Sequence, residues 1–210
     1  MNTIFPDQIA RLLKKELPGQ RSHRKMLPPG RNLVVSRQEL DQIRYSSVLL
    51  LLFPEQGRLY TCLTKRNASM KHHPGQISFP GGRIEEGESP EVTALREAQE
   101  EIGISPLEVR ILGRLSELYV SVSKYMIFPY VGWMSRRPKF RLNEDEAEQL
   151  LLLSLHPALM IPQTRTIRTS SAGTIDVPCY PLGEEVIWGA TAMILTEFFD
   201  LVRESSLVTF

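Results

Sequence analysis

The stretch GRIEEGESPEVTALREAQEEIGI, residues 82–104, decides how this chain is read. Its second half places Glu97, Glu100 and Glu101 within five positions. Several signs predict a helix over residues 89–102. Ser89 suits the N-cap, Pro90 the first helical position and Glu91 the positive end of the dipole. Gly103 suits the C-terminal cap. At about 100° per residue, Glu101 falls about 40° from Glu97, and Glu100 about 60° to the other side. The three acids therefore share one face. Val92, Leu95 and Ile102 lie about 140–160° from Glu97 and are expected to pack on the core, with the acids pointing away from it. Like charges so spaced repel by roughly 0.2–0.5 kcal/mol per pair. A solvated acidic face tolerates that cost, whereas a bound cation reverses it. The neighbouring residues favour the cation. Gly81, Gly82 and Gly87 let the backbone turn tightly and let a ligand approach the main chain. Hard divalent cations take carboxylates and backbone carbonyls together.

Outward from this stretch, the chain alternates strands with a few helices. Upstream, SSVLLLLF (46–53) reads as a buried strand, and GRLYTCLTKR (57–66) follows a PEQG turn as its hairpin partner. GQISFPGG (75–82) predicts a short strand ending in a Gly-Gly loop. Downstream, VRILGRLSEL and YMIFPYVGWM read as further strands. NEDEAEQLLLLSLHPAL starts acidic and turns apolar, so a loop should precede a short strand or helix. IDVPCYPL and EEVIWG look like strands, and ATAMILTEFFDLVRES like a closing helix whose phenylalanines pack internally or across a dimer. This mixture predicts an α/β sandwich.

The first residues differ in character. Ile9, Leu12, Leu13 and Leu17 recur at helical spacing until Pro18-Gly19 stops them. GQRSHRKMLPPGRN (19–32) is basic and rich in breakers, and predicts a loop or extended arm. Arg21, Arg24, Lys25 and Arg31 lie in it without an acid, as on a solvated connector or an arm reaching an anionic ligand. The expected organisation is an N-terminal helix and basic arm over 1–40, packed on or extending a domain that spans 41–210.

Composition narrows the function class. The 210 residues suffice for one large domain, and the formal net charge of +1 gives no pull toward nucleic acid or acidic membranes. Cys62 and Cys179 make neither a disulfide framework nor a zinc pattern, so a reducing, cytoplasmic setting is expected. The N-terminus lacks a continuous apolar region of the secretory kind.

Residues 82–104 resemble the Nudix box of the Nudix hydrolases. Gly82, Glu88, Arg96, Glu97, Glu100, Glu101 and Gly103 match, with Ala98 and Ile104 at the aliphatic positions; Ala98 is small for its slot. The resemblance implies the Nudix α/β/α sandwich around a mixed β-sheet. It implies Mg²⁺ or Mn²⁺ held by Glu97, Glu100 and Glu101, with the Gly81 or Gly82 carbonyl as a further ligand. Glu88 and Arg96 would pair to orient the loop. The implied activity is metal-dependent hydrolysis of a nucleoside diphosphate linked to another moiety. The glutamate that serves as base varies within the family.

Directly upstream, CLTKRNASMKHHPGQISFPGG (62–82) resembles the signature of the coenzyme A pyrophosphatase subfamily. Leu63, Thr64, Arg66, Gly75, Phe79, Pro80, Gly81 and Gly82 match. Cys62, Asn67 and Lys71 depart from a leucine, a small residue and an arginine. Lysine keeps the charge but loses the planar fork that suits phosphate. VIWGATAMIL and NEDEAEQL resemble later segments of the same subfamily. The implied substrate is coenzyme A or acyl-CoA, cut to 3′,5′-ADP and 4′-phosphopantetheine or its acyl form. Arg66, Lys65 and Lys71 are the candidate cationic donors, beside the Gly81 and Gly82 backbone. Glu146 is a candidate base or ligand. ADP-ribose, NADH or a dinucleotide remain alternative substrates, and a non-catalytic binding module is the reading from another class. His72-His73 lack a third partner at ligand spacing. Met134, Met160 and Met193 read as core. The expected partner is a small nucleotide, with no nucleic acid or membrane, for a monomer or homodimer.

Overall fold

The computed structural model of the chain describes residues 6–67, 75–156, 160–169 and 173–204. The first half runs α1 (Pro6–Leu12), α2 (Gln20–His23), β1 (Arg44–Glu55), β2 (Arg58–Arg66), β3 (Ile77–Ser78), β4 (Gly81–Arg83) and α3 (Pro90–Ile102). The second runs β5 (Arg110–Arg114), β6 (Leu118–Val120), β7 (Tyr125–Trp133), β8 (Ala147–Ser154), β9 (Gln163–Thr169), β10 (Gly173–Leu182), β11 (Glu185–Trp188) and α4 (Gly189–Glu204).

β1 organises everything else. Parallel β7 flanks it from Arg44 to Leu52, and β2 pairs antiparallel with its far end, Phe53–Glu55. The hairpin turns on Gln56 and Gly57, both at positive φ (49° and 74°), the combination whose twist matches the flanking strands. β4 pairs antiparallel with Ser46–Val48. β3 and β8 extend the sheet beyond β2, while β5 and β6 both pair with β7. The result is a mixed eight-stranded sheet, with β9, β10 and β11 forming a separate antiparallel sheet of three.

The apolar run of β1 is buried on both faces, and side chains alternate across a strand. Leu49, Leu51 and Phe53 pack with Ala94, Ala98 and Ile102 of α3. Leu50 and Leu52 pack with Ile9 and Leu12 of α1 and with Leu195 and Phe198 of α4. Each such side chain contributes roughly 1.5–3 kcal/mol by leaving water. Two helical layers on one sheet give the α/β/α sandwich. The phenylalanine at the centre of α4, Phe198, packs internally, and Met134, Met160 and Met193 are buried.

Three segments differ from their sequence reading. Residues 20–26 are not an extended arm: α2 continues into a 3₁₀ turn over Arg24–Met26. The cause is α4, whose acids capture the segment. Ser22 donates to Asp200, Lys25 pairs with Asp200 at 2.7 Å, and His23 Nε2 meets Glu197 Oε2 at 2.8 Å. Two of the four cations named in this cluster are thus matched by α4 acids, Arg21 reaching Glu204 at 3.0 Å. Gly81-Gly82 is strand rather than loop, because the two residues pair in register with β1, Gly82 opposite Ser47 and Gly81 opposite Val48. β9 had no sequence signal. No helix among the described residues is long and apolar enough to cross a membrane.

Candidate active site

α3 forms as its ends predict. Ser89 Oγ accepts from the Val92 N–H at 3.3 Å, Pro90 takes the first turn, and Gly103 closes the helix at φ 71°. A Cβ on Gly103 would lie 2.7 Å from Arg141 Cβ, so glycine is required twice over.

The rotation of the helix is a correction. Ala94, Ala98 and Glu101 centre the buried face, flanked by Thr93 and Ile102, while Val92 is 52% exposed. Small alanine methyls let α3 lie close to the sheet and carry Glu101 inward. Glu101 is only 4% exposed, so not all three acids point away from the core. The side chain of Glu97 is 14% exposed and that of Glu100 50%.

The glycine pair serves this close approach. A Cβ on Gly82 would sit 2.4 Å from the Glu97 carboxylate, and one on Gly81 2.4 Å from the Ser47 carbonyl oxygen. Beside them opens a cleft of about 290 Å³ lined by Arg83, Ile84, Glu85, Glu86 and Glu97.

Arg96 holds the acids from one side. Its Nε donates to Glu88 Oε1 at 2.7 Å and its Nη2 to Glu88 Oε2 at 3.1 Å, a two-pronged grip. Its Nη1 reaches Glu97 Oε1 and Glu100 Oε2, each at 2.9 Å, and Nη2 also donates to the Arg83 carbonyl at 3.2 Å. Glu88 in turn accepts from Thr93 Oγ1 at 2.8 Å and from the Glu85 N–H at 3.3 Å. Arg96 and Thr93, with the Glu85 N–H, hold the Glu88 carboxyl down to a pKa of about 2.

Glu101 lies on the other side of the cluster. Thr64 Oγ1 donates to its Oε2 at 3.3 Å. Burial pushes its pKa up to about 8; the Arg66 charge opposes the shift, and the Glu146 and Glu97 charges add to it. Burial also raises Glu97, with Arg96 opposing and Glu100 and Glu146 reinforcing. The Glu146 charge thus acts on both from the turn before β8, a turn joined to α3 by the Asn143 N–H, which donates to the Glu101 carbonyl at 2.8 Å.

Other predicted residues fall in different places. Thr64 and Arg66, two apart on β2, share the face that looks on Glu101; Arg66 Nε is buried with no hydrogen-bond partner among the described residues. Lys65 points to the opposite face, where it pairs with Glu148 at 2.8 Å and Glu185 at 2.7 Å. Its charge is thus matched by β8 and β11, away from the acids. Lys71 and the His72-His73 pair lie outside the described residues. Two participants were missed: Arg83 in the cleft wall, and Asn143, whose Nδ2 donates to Glu146 Oε1 at 3.0 Å. The one available signal for Asn143 was its place ahead of a run of acids, where asparagine often makes a side-chain turn.

The donor set fits a hard divalent cation. Glu97 and Glu101 offer carboxylate oxygens of the kind such a cation takes, both largely buried on one helix. Among the described residues no three carboxylates stand ready-made as a metal cluster. Glu97 and Glu100 are held by Arg96, which must share them with any cation.

Comparison with known proteins bears on this geometry. A family model described as NUDIX domain matches residues 44–165. The uncharacterized Nudix hydrolase NudL of Pectobacterium atrosepticum is 35% identical over 137 residues, which cover 63% of this chain and 70% of that one. The peroxisomal coenzyme A diphosphatase NUDT7 of Mus musculus is 30% identical over 155 residues, 73% of this chain and 58% of the relative's length. The crystal structure of the M. smegmatis Nudix hydrolase RenU superposes with a TM-score of 0.53 at 15% identity, covering 80% of this chain and 88% of that one.

Proposed function

The chain belongs to the NUDIX family of pyrophosphohydrolases, and on that premise we propose that its substrate is coenzyme A or an acyl-CoA. The observation that carries this reading is the placement of Thr64 and Arg66. Both match the coenzyme A signature, and both stand on the face of β2 that looks on Glu101. The relative named a coenzyme A diphosphatase supports the same choice.

In this reading Glu97, Glu100 and Glu101 hold Mg²⁺ or Mn²⁺, with Gly81 or Gly82 offering a carbonyl. The cation, when bound, neutralises diphosphate oxygens and lowers the pKa of an attacking water. The protein's own residues do the rest. Arg96 and Glu88 fix the loop against α3. Arg66, with Lys71, supplies positive charge to the phosphates, and the closely approached Gly81-Gly82 backbone borders the cleft. Water adds to one phosphorus, its proton passes to a carboxylate, and the bridging P–O bond breaks. Glu146 is the candidate for that proton. The products are 3′,5′-ADP and 4′-phosphopantetheine or its acyl form.

The test is a substrate panel with Mg²⁺ or Mn²⁺: coenzyme A, acetyl-CoA, ADP-ribose, NADH and a diadenosine polyphosphate. Release of 3′,5′-ADP from coenzyme A well ahead of the others is the expected result. Preferential cleavage of another member overturns the substrate while leaving the pyrophosphohydrolase.

A further inference from the structure

Glu146 reaches the acid cluster from a turn, and turns hold a side chain only as firmly as they are themselves held. This one is clamped at both ends. The Asn143 N–H donates to the Glu101 carbonyl at 2.8 Å, and the Arg141 N–H to the Ile102 carbonyl at 2.9 Å. These bonds tie the turn to the last residues of α3. From the other side, the Asn67 N–H donates to the Glu146 carbonyl at 3.2 Å, and Asn67 Nδ2 to the Glu144 carbonyl at 3.3 Å. The departure from a small residue at position 67 therefore has a structural use. Within the turn, Asn143 Oδ1 accepts from the Asp145 N–H at 3.2 Å. A backbone N–H can only donate, which fixes the amide's orientation. The Nδ2 group is left facing Glu146 Oε1, at 3.0 Å.

We propose that Asn143 is the positioning residue for Glu146: its amide, anchored to α3 and to its own turn, aims the Glu146 carboxylate at Glu97 and Glu101. The inference rests on the pyrophosphohydrolase reading of the cluster but not on the identity of the substrate. Its distinguishing feature is that Asn143 acts through Glu146 alone.

Asn143→Asp separates aim from fold. It keeps the oxygen that accepts from Asp145 and replaces the donor with an anion facing Glu146. The test is a double-mutant cycle of Asn143→Asp with Glu146→Gln, measured on whichever panel member the parent protein cuts. Losing the coenzyme A reading therefore leaves the test intact. Asn143→Asp is expected to lower kcat by about 10- to 100-fold, the usual range for an outer partner of a site carboxylate, and Glu146→Gln by about 10²- to 10⁴-fold, the scale of a lost acid–base group. KM should move by less than about threefold, since the loss falls on the chemical step. The double variant should be no slower than Glu146→Gln, with Asn143→Asp melting near the parent. Multiplied losses in the double variant overturn the proposal, as does a parent-like kcat in either single one. If no panel member is cut, ¹⁵N-resolved NMR of the Asn143 side-chain amide decides. Slow amide exchange that becomes fast in Glu146→Ala supports the aim, and equal exchange in both proteins overturns it.

Discussion

Two helices of this protein bury acids, and they bury them to opposite ends. On α4, Glu197 is 0% exposed and Asp200 4%, a burial comparable to that of Glu101 on α3. The Glu197 carboxylate is saturated with donors. Its Oε1 accepts from the Gly19 N–H at 3.2 Å and the Ser116 N–H at 3.1 Å, and its Oε2 meets His23 at 2.8 Å. Burial alone would raise its pKa, but these donors outweigh burial and lower it. Glu101 has one hydroxyl at 3.3 Å and a neighbouring guanidinium, and faces two further acids; burial wins and its pKa rises. The lesson is that burial does not mark a functional acid. What marks it is burial with an incomplete set of donors, which leaves room for a cation to complete it. The α4 acids are fasteners that secure the N-terminal segment, whereas the α3 acids keep an incomplete set of donors, as the proposed ligand role requires.

The comparison breaks most visibly in turnover. Glu101→Gln keeps the shape and the Thr64 contact but removes the charge, and should lower kcat by about 10²- to 10⁴-fold, the scale of a lost acid–base or charge-stabilising group. Glu197→Ala removes no part of the site. It strands the Gly19, Ser116 and His23 donors and should destabilise folding by about 3–5 kcal/mol. Chemical denaturation of both variants checks the contrast. Metal-free Glu101→Gln should be no less stable than the parent at pH 8, and an equal loss in both would erase the distinction between ligand and fastener.

The pH dependence sharpens the contrast, with a smaller effect. Raised in the folded state, the Glu101 pKa costs stability that is absent below the ordinary carboxylate value of 4.5. That cost grows as pH rises toward about 8. Glu197 is depressed, so its contribution is present above 4.5 and is lost as pH falls through its lower folded value. Metal-free melting curves of the parent and Glu101→Gln should therefore converge at acidic pH and diverge toward pH 8. Mn²⁺ at about 100 times its Kd should stabilise the parent by about 2.7 kcal/mol. Melting curves with and without Mn²⁺ test this, and an equal gain in Glu101→Gln would remove Glu101 from the ligand set.

The same two regions show what a sequence can reveal. α3 was legible because its signals are local: a Ser cap, a Pro start, a Gly stop and acids at fixed spacing. Its rotation was legible only in part: Leu95 and Ile102 pack on the core as expected, but Val92 is exposed and Glu101 turns inward. The small residues Ala94 and Ala98 set the phase, and alanine gives little hydrophobic signal. The fastening of residues 20–26 was illegible for another reason: His23 and Glu197 stand 174 residues apart. Neither has a motif to announce the other. β9, QTRTIRT, is exposed or only partly buried along its length and so lacks the alternation that marks a half-buried strand. The Gly81-Gly82 pair was read as a loop that lets a ligand approach; it is a strand closely approached by Glu97 and Ser47, and nothing local shows β1 as its partner.

Ala98 sets the depth of the whole site. It occupies a position where the family pattern has a larger aliphatic residue, and it is 1% exposed on the inner face of α3. The gap between helix and sheet is gauged by methyl groups, like a shim under a hinge. How far Glu101 descends toward Thr64, and how tightly Glu97 closes on Gly82, are thus tolerances inherited from the core. Chemistry at the surface of this protein is calibrated by a residue that never meets solvent or substrate.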